Sequence, residues 1–376
     1  MNPFSYGAVV KGANFFDRED DCKRIVDTLA GGNNLVLYAP RRFGKTSLVF
    51  RAIEYLEALG FVCIYFDIMP VFSPESFVRL YSKALAAKQS NLQKFSQAFV
   101  SIIKNIRPVL GFGQDGMPEF SIDFAGSKVD ETVISQLLDL PELLAKNDKR
   151  VLVFFDEFQE VEKLKELNFE GLLRSKIQQQ ANVNYLFFGS KTHIMQAMFN
   201  DKKRAFYNAA SQMTIGYLPE NDTIAFLQQN FLKKNIKLEE TIAKYIISTA
   251  ANIPHYIQLL AAEIWQFVES GAAITREIVD ESVLRVLALK SDYYMELFEH
   301  QSKSKKQLLL ALCSDGKNIF SETYIKANNL PSAATLQRAV VGLTNDGIID
   351  RFGNEYFISD PFFKLFVISI YHNVFL

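Results

Sequence analysis

The length, composition and charge of the chain exclude several classes of protein. Its 376 residues are too many for one ordinary hydrophobic core, so we expect two or three domains. With 49% hydrophobic residues, 22% charged residues and a net charge of -1, the chain has the composition of a globular protein without an overall bias toward nucleic acid or a membrane surface.

Cysteine usage and the absence of long apolar runs predict a cytoplasmic protein. Cys22, Cys63 and Cys313 are far apart and form no C-x-x-C pair, which fits a reducing compartment. The four histidines are isolated, so no metal cluster of histidine and cysteine is predicted. The first residues lack the features of a signal peptide, and no apolar run is long enough to span a membrane.

The first half of the chain alternates short apolar runs with segments of helical periodicity. Strands are predicted at 34–38, 61–67, 151–155, 184–189 and, more weakly, 213–217. Helices are predicted at 21–30, 44–58, from Ser73 to about 106, and at about 131–146. Residues 107–130 are predicted to form an irregular insertion with one β-hairpin. Strands that alternate with helices indicate a parallel sheet covered on both faces.

The second half has a different pattern. From Pro219 to about 295 the apolar residues recur only at helical spacing, which predicts a helical domain. From about 303, three predicted helices are followed by two short strands joined at Gly353-Asn354, the outline of a winged helix. We therefore expect an α/β core at 1–218, a helical lid at 219–298 and a winged-helix domain at 299–376.

The strongest motif joins the first strand to the next helix. The loop closes on Gly44-Lys45-Thr46, the strand–loop–helix context of a phosphate-binding P-loop. Lys45 would reach the β- and γ-phosphates of a nucleotide, and Thr46 would place its hydroxyl on Mg²⁺. Ala39 occupies the first glycine position of the motif, so we expect the turn to begin with ordinary backbone geometry. The nucleotide-binding candidates in this stretch are Ala39, Pro40, Arg41, Arg42, Phe43, Gly44, Lys45, Thr46 and Ser47.

Two acidic residues follow the third predicted core strand. Asp156 and Glu157 would lie at the C-terminal edge of the sheet, where open α/β sheets bind ligands. Asp156 would help to hold Mg²⁺ beside Thr46, and Glu157 would orient the attacking water or accept its proton. A solvated turn is the alternative interpretation of the acid pair. Ser190 ends the next strand and could hydrogen-bond the γ-phosphate or the water if that strand lies beside the first; a merely polar strand end is the alternative.

Arginines near this edge could stabilise transition-state charge. Arg41 and Arg42 lie in the loop itself, whereas Arg174 could equally be a surface residue. For Arg204, which follows two lysines, a solvated basic turn is the favoured interpretation. Pro254 interrupts the helical domain and could contact the nucleotide base, or could mark a simple turn between helices.

These motifs together resemble the archaeal-type P-loop ATPase family of the AAA+/STAND group, which is also common in bacteria. The resemblance is carried by the opening around Asn2-Pro3-Phe4 and Phe16-Asp17-Arg18-Glu19, the loop 40–48, Asp156-Glu157-Phe158-Gln159, Phe188-Gly189-Ser190 and Pro254-His255-Tyr256. It implies a base-side role for Phe16, Arg18 and Pro254. Many relatives carry a Gly-Arg pair where this chain has Phe206-Tyr207-Asn208-Ala209, so an arginine from that site is not expected in this chain.

The resemblance implies an enzyme that binds ATP or ADP with Mg²⁺ and hydrolyses ATP slowly. We expect a molecular switch in which nucleotide held between core and lid sets the position of the winged helix. One alternative is a DNA-associated ATPase resembling origin-recognition or transposition helper proteins; another is a non-hydrolysing interaction module with bound ADP. A protein partner or self-association through the lid or winged helix is favoured over DNA, and no membrane partner is expected.

Overall fold

A five-stranded parallel sheet organises the first half of the chain. The computed structural model describes residues 2–7, 18–89, 91–104, 106–113, 116, 118–124, 126–145 and 150–372. The core strands are β1 (Leu35–Tyr38), β2 (Val62–Asp67), β5 (Val151–Asp156), β6 (Val183–Gly189) and β7 (Ser211–Thr214). Their order across the sheet is β2-β5-β6-β1-β7, so β6 lies beside β1, which is the condition on which the expected role of Ser190 depended. Every residue of β1, β5 and β6 is buried, which explains why these strands are largely apolar; Asn184 in β6 and Asp156 at the end of β5 are buried polar residues.

The helices around this sheet follow the predicted alternation. They are α1 (Glu19–Ala30), α2 (Lys45–Ala58), α3 (Pro74–Ala86), α4 (Leu92–Ile102), α5 (Glu131–Leu144), α6 (Phe169–Gln179) and α7 (Thr192–Asn200), with a 3-10 helix over Phe158–Leu167. One prediction was wrong: the helix expected from Ser73 to about 106 is two helices. The second helix, α4, starts after Asn91. The Asn91 side chain accepts the backbone N–H of Lys94 and so caps the start of α4.

The predicted hairpin is present in the insertion. Strands β3 (Arg107–Phe112) and β4 (Pro118–Asp123) pair antiparallel, with Arg107 opposite Asp123. Phe120 and Ile122 of β4 are buried, whereas most of β3 is exposed. The hairpin therefore buries one face of one strand, as its alternating sequence predicted.

The second half of the chain is helical apart from one short sheet near its end. Its helices are α8 (Glu220–Leu232), α9 (Glu240–Thr249), α10 (Pro254–Phe267), α11 (Arg276–Glu299), α12 (Lys303–Leu312), α13 (Glu322–Ala327), α14 (Ala333–Asn345) and α15 (Pro361–His372). Strands β8 (Ile349–Phe352) and β9 (Glu355–Ile358) form the predicted antiparallel wing. Helix α15 was not predicted, because its nearly uniform apolar sequence carries little helical periodicity.

The chain divides into two compact units. The sheet unit comprises residues 18–39 and 45–216; the C-terminal unit comprises 40–44, 217–376 and the described part of 1–17. Within the C-terminal unit Phe4 packs against Phe231 with ring centroids 4.9 Å apart. None of the helices within the described ranges combines the length and apolar character needed to cross a membrane. The three-domain division remains a prediction.

Candidate active site

A hydroxyl and a carboxylate converge at the C-terminal edge of the sheet. Thr46 is the second residue of α2, Asp156 ends β5, and Thr46 Oγ1 lies 3.5 Å from Asp156 Oδ2. The Tyr65 hydroxyl, from neighbouring β2, donates a 2.6 Å hydrogen bond to the same Asp156 oxygen. Burial raises the pKa of Asp156 to about 6, the Tyr65 hydrogen bond lowers it, and the charge of Glu157 raises it. Oxygen donors of this kind suit Mg²⁺.

Lys45 is buried at the start of α2. Its Nζ donates a 2.8 Å hydrogen bond to the carbonyl of Ala39, the first residue of the loop that follows β1. Ala39 does not have a positive φ, as predicted for a residue in the first glycine position; Arg42 (φ 69°) and Gly44 (φ 82°) do. The left-handed turn is therefore made late in the loop, where glycine provides one of the two positions.

The loop residues 40–44 belong to the C-terminal unit. The exposed Arg42 guanidinium lies 3.4 Å from Asp360 Oδ2 and 4.8 Å from the centroid of the Tyr256 ring. Phe43 is buried and packs on Tyr217, with ring centroids 5.2 Å apart. Arg41 is exposed, and Ser47 is the third residue of α2.

Glu157 and Ser190 are brought together from the ends of adjacent strands. Glu157 follows β5 in a left-handed conformation (φ 49°). Its Oε2 accepts hydrogen bonds from the Ser190 hydroxyl, at 2.8 Å, and from the Ser190 backbone N–H, at 3.1 Å. A carboxylate fixed in this way, next in sequence to the Asp156 that contacts Thr46, has the chemistry of a general base.

The base-side candidates Arg18 and Pro254 lie at the starts of two helices. Arg18 is buried before α1, pairs with Asp21 at 2.9 Å and donates to the Gly216 carbonyl at 2.8 Å. Pro254 is the first residue of α10 and so ends the break in the helical region. Phe16 lies outside the described residues.

The two remaining arginines differ from each other. Arg174 is half-buried on α6. The turn expected at Arg204 is present and its two lysines are exposed, but the Arg204 guanidinium is half-buried and pairs with Glu170 and, at 3.5 Å, with Glu162. Its hydrogen bond to Glu170 raises the pKa of Arg204 above its ordinary value. Arg204 is therefore committed to a structural ion pair.

Sequence reasoning assigned no role to three residues that contact this set. Tyr65 binds Asp156, Gln159 binds Glu157, and Asp360 pairs with Arg42. The only local signal was the position of Gln159 close after the acid pair. Tyr65 and Asp360 lie far from their partners in sequence, and nothing in their local sequence marks them.

Comparisons with known proteins match two regions of the chain to described domains. Residues 15–195 match the family described as ATPase domains predominantly from Archaea, and residues 292–369 match a probable winged helix domain. An uncharacterized ATP-binding protein of Pyrococcus horikoshii is 24% identical over 262 residues, covering 65% of this chain and 73% of the relative. One from Methanocaldococcus jannaschii is 27% identical over 169 residues, covering 42% of this chain and 46% of the relative.

A solved structure supports the fold over nearly the whole chain. The Walker-type ATPase of Pyrococcus abyssi superposes with a TM-score of 0.64 at 18% identity, covering 97% of this chain and 99% of that one. The shared fold therefore includes the helical and winged-helix regions as well as the parallel sheet. Residues 15–195 thus match an ATPase domain found predominantly in Archaea, and a match to a winged-helix domain follows at residues 292–369.

Proposed function

We propose that the protein binds ATP and hydrolyses it slowly, as a nucleotide-dependent switch. The proposal is supported chiefly by the side chains that meet at the C-terminal edge of the sheet: Thr46, Asp156, Glu157 and Ser190. Thr46 directly follows Lys45, the lysine of the P-loop. The ATP-binding relatives and the ATPase family match support nucleotide as the ligand.

Each residue has a distinct role in this proposal. Lys45 would exchange its bond to the Ala39 carbonyl for the phosphates. Thr46 and Asp156 would hold Mg²⁺, which when bound neutralises phosphate charge. The described residues include no group of three or more His, Cys, Asp and Glu able to hold a metal, so phosphate and water oxygens would complete the coordination. Glu157 would accept the proton of the attacking water.

Slow turnover is expected because this chain lacks an arginine at the site where many relatives carry a Gly-Arg pair. Residues 206–209 contain none, and Arg204 pairs with Glu170 and Glu162. An arginine that stabilises the transition state contributes about 10³–10⁵ in rate where it is present. Without one, ATP would persist long enough for its bound state to act as a signal.

Coupling to the winged-helix region is supported by a contact of the P-loop itself. Arg42 pairs with Asp360, which directly precedes the last helix, α15. The Tyr294 hydroxyl donates to the same Asp360 oxygen at 3.0 Å, and Lys290 lies 3.9 Å from it. Phosphate that attracts Arg42 would compete with Asp360, and so nucleotide would act on the start of α15.

Titration calorimetry with ATP and Mg²⁺ tests the binding site. Lys45→Ala removes the charge that meets the phosphates, and affinity should fall about 10- to 100-fold, the size of a charge-assisted hydrogen bond. Lys88→Ala, at a half-exposed lysine paired with Glu57, is the matched control and should bind as the unaltered protein does. Equal affinity of the two variants would refute the site.

Turnover tests hydrolysis separately. Glu157→Gln keeps the size of the side chain but removes its basicity, so phosphate release should fall about 10²- to 10⁴-fold while ATP binding persists. A wild-type rate no higher than that of Lys45→Ala would favour a non-hydrolysing module instead.

A further inference from the structure

The Glu157 carboxylate is held through one of its two oxygens. Besides the two donors of Ser190, Oε2 accepts a 2.5 Å hydrogen bond from Gln159 Nε2. The described residues donate no hydrogen bond to Oε1. Three donors around Oε2 fix the plane of the carboxylate, and Oε1 is left as the oxygen able to take a proton from water.

Gln159 is placed for this contact at an energetic cost. Its side chain is 2% exposed, and its Oε1 is buried without a hydrogen-bond partner among the described residues. A buried acceptor left unpaired destabilises the fold, so the favourable contribution of this amide comes from its donor, which faces Glu157.

Gly189 provides the space that the amide occupies. A Cβ built on Gly189 would come within 2.0 Å of Gln159 Oε1 and 3.1 Å of its Cδ. Gly189 does not have a positive φ, so its small size matters here and not its backbone freedom. The end of β6 thus supplies both Ser190 for the carboxylate and the gap for Gln159.

We propose that Gln159 is the positioning residue for hydrolysis: its amide, seated against Gly189, orients the Glu157 carboxylate toward the attacking water. The proposal rests on the proposed ATPase function and adds a residue that acts on the chemical step alone. Gln159 acts through Glu157, so its loss should lower kcat without changing nucleotide affinity.

Steady-state ATP hydrolysis by the full chain with Mg²⁺ tests the proposal. Gln159→Met keeps the length of the side chain and removes both the donor and the unpaired acceptor. We expect kcat to fall between about 10- and 100-fold, with KM and the ATP affinity within twofold of wild type. The variant should melt no lower than wild type, because the unpaired acceptor is gone. Gln179→Met, at an exposed glutamine on α6, is the matched control and should keep the wild-type kcat.

A second variant displaces the amide without altering it. Gly189→Ala forces Gln159 to move and should lower kcat as Gln159→Met does. In the double variant the two decreases in kcat should not add, because each substitution removes the same contact between the Gln159 amide and Glu157. Additive decreases in kcat would show that Gly189 affects turnover independently of Gln159. They would refute the proposal that Gly189 positions the Gln159 amide.

The remaining outcomes separate the two proposals. If wild type turns over ATP faster than Lys45→Ala, yet Gln159→Met keeps the wild-type kcat, the positioning role is refuted and the ATPase proposal stands. A loss in Gln159→Met confined to affinity or melting temperature also refutes it. If wild type does not exceed Lys45→Ala, the proposed function itself fails, and the positioning role with it.

Discussion

Burial and hydrogen bonding act in opposite directions on the Asp156 carboxyl. Burial raises its pKa to about 6, above the ordinary value of 3.8, although the Tyr65 hydroxyl favours the charged form. The folded state therefore binds the proton more tightly than the unfolded state. The contribution of this group to stability is complete below about pH 4 and is lost as the pH rises through 6. A charge kept in this position at neutral pH therefore destabilises the folded state.

Replacing the charge should therefore stabilise the protein. Without Mg²⁺ or nucleotide, Asp156→Asn should raise the free energy of unfolding at pH 8 by about 1–3 kcal/mol, because each pKa unit corresponds to about 1.4 kcal/mol. The gain should shrink toward zero near pH 4, where the wild-type carboxyl is protonated. Urea unfolding across this pH range measures it, and a gain that does not depend on pH would show that burial of the charge is not its cause.

His255, next to Pro254, behaves in the opposite sense. Burial lowers its pKa from 6.5 to about 4, the charges of Arg42 and Lys290 lower it further, and that of Asp360 raises it. The unfolded state binds the proton more tightly, so stability is lost as the pH falls from 6.5 toward 4.

Substituting this histidine should reduce acid sensitivity. Between pH 7 and pH 4, His255→Gln should lose less unfolding free energy than wild type, by up to about 3 kcal/mol. His300→Gln, at an exposed histidine, is the matched control. Denaturant titrations at the two pH values provide the comparison, and equal losses for wild type and His255→Gln would exclude His255 as the source.

At the scale of elements, Asp360, the residue directly before α15, makes two separate sets of contacts. Asp360 Oδ1 accepts the backbone N–H groups of Phe362, at 2.9 Å, and Phe363, at 3.3 Å, which caps the helix. Its Oδ2 faces Arg42 and Tyr294. The start of the last helix and the P-loop arginine therefore share one carboxylate.

An amide at this position separates the two sets of contacts. Asp360→Asn can still cap α15 through its oxygen but loses the ion pair with Arg42. ATP affinity should rise by up to about fivefold, because a partly exposed ion pair contributes at most about 1 kcal/mol. Asp346→Asn, which removes the exposed ion pair with Lys305, is the matched control and should leave the affinity unchanged. Titration calorimetry with ATP measures both affinities. Equal affinities for the two variants would argue against coupling between nucleotide and the start of α15.

At the scale of the whole molecule, charge argues against tight DNA binding. Residues 301–376 carry eight basic and six acidic side chains, a net charge of +2. Three of the lysines are in ion pairs, with Asp346, Glu299 and Glu322. Helix α14, in the position of a recognition helix, exposes Arg338 beside Val341, whose exposed fraction is 53%. A DNA-binding face neutralises several phosphates, whereas this one is mixed and partly apolar.

The full chain should therefore bind duplex DNA weakly and without sequence preference. Fluorescence anisotropy at near-physiological salt should give no saturable binding below micromolar protein, and Arg338→Ala should change little. Tight binding that Arg338→Ala weakens would instead promote the DNA-associated ATPase and count against a protein partner for this face.

The candidate site shows which residues local sequence could identify. Lys45, Thr46, Asp156 and Glu157 were recognisable because each lies at a fixed place relative to a strand that its own apolar sequence marks. The pairing of Ser190 with Glu157 needed one further fact, that β6 lies between β5 and β1. The strand sequences do not specify that order, because buried parallel strands are all similarly apolar.

By itself the sequence determined the parallel sheet, the P-loop, the acid pair, the helical region and the wing, since each is written in a short stretch with its own periodicity and turn residues. Only the tertiary structure decided the partners of those residues: Tyr65 on Asp156, Gln159 seated against Gly189, and Asp360 on Arg42. It also decided α15 and the break after α3, where local periodicity was ambiguous. The physical reason is that periodicity reports which face of an element is buried, whereas side-chain contacts between distant residues depend on how the elements pack, which no single stretch encodes.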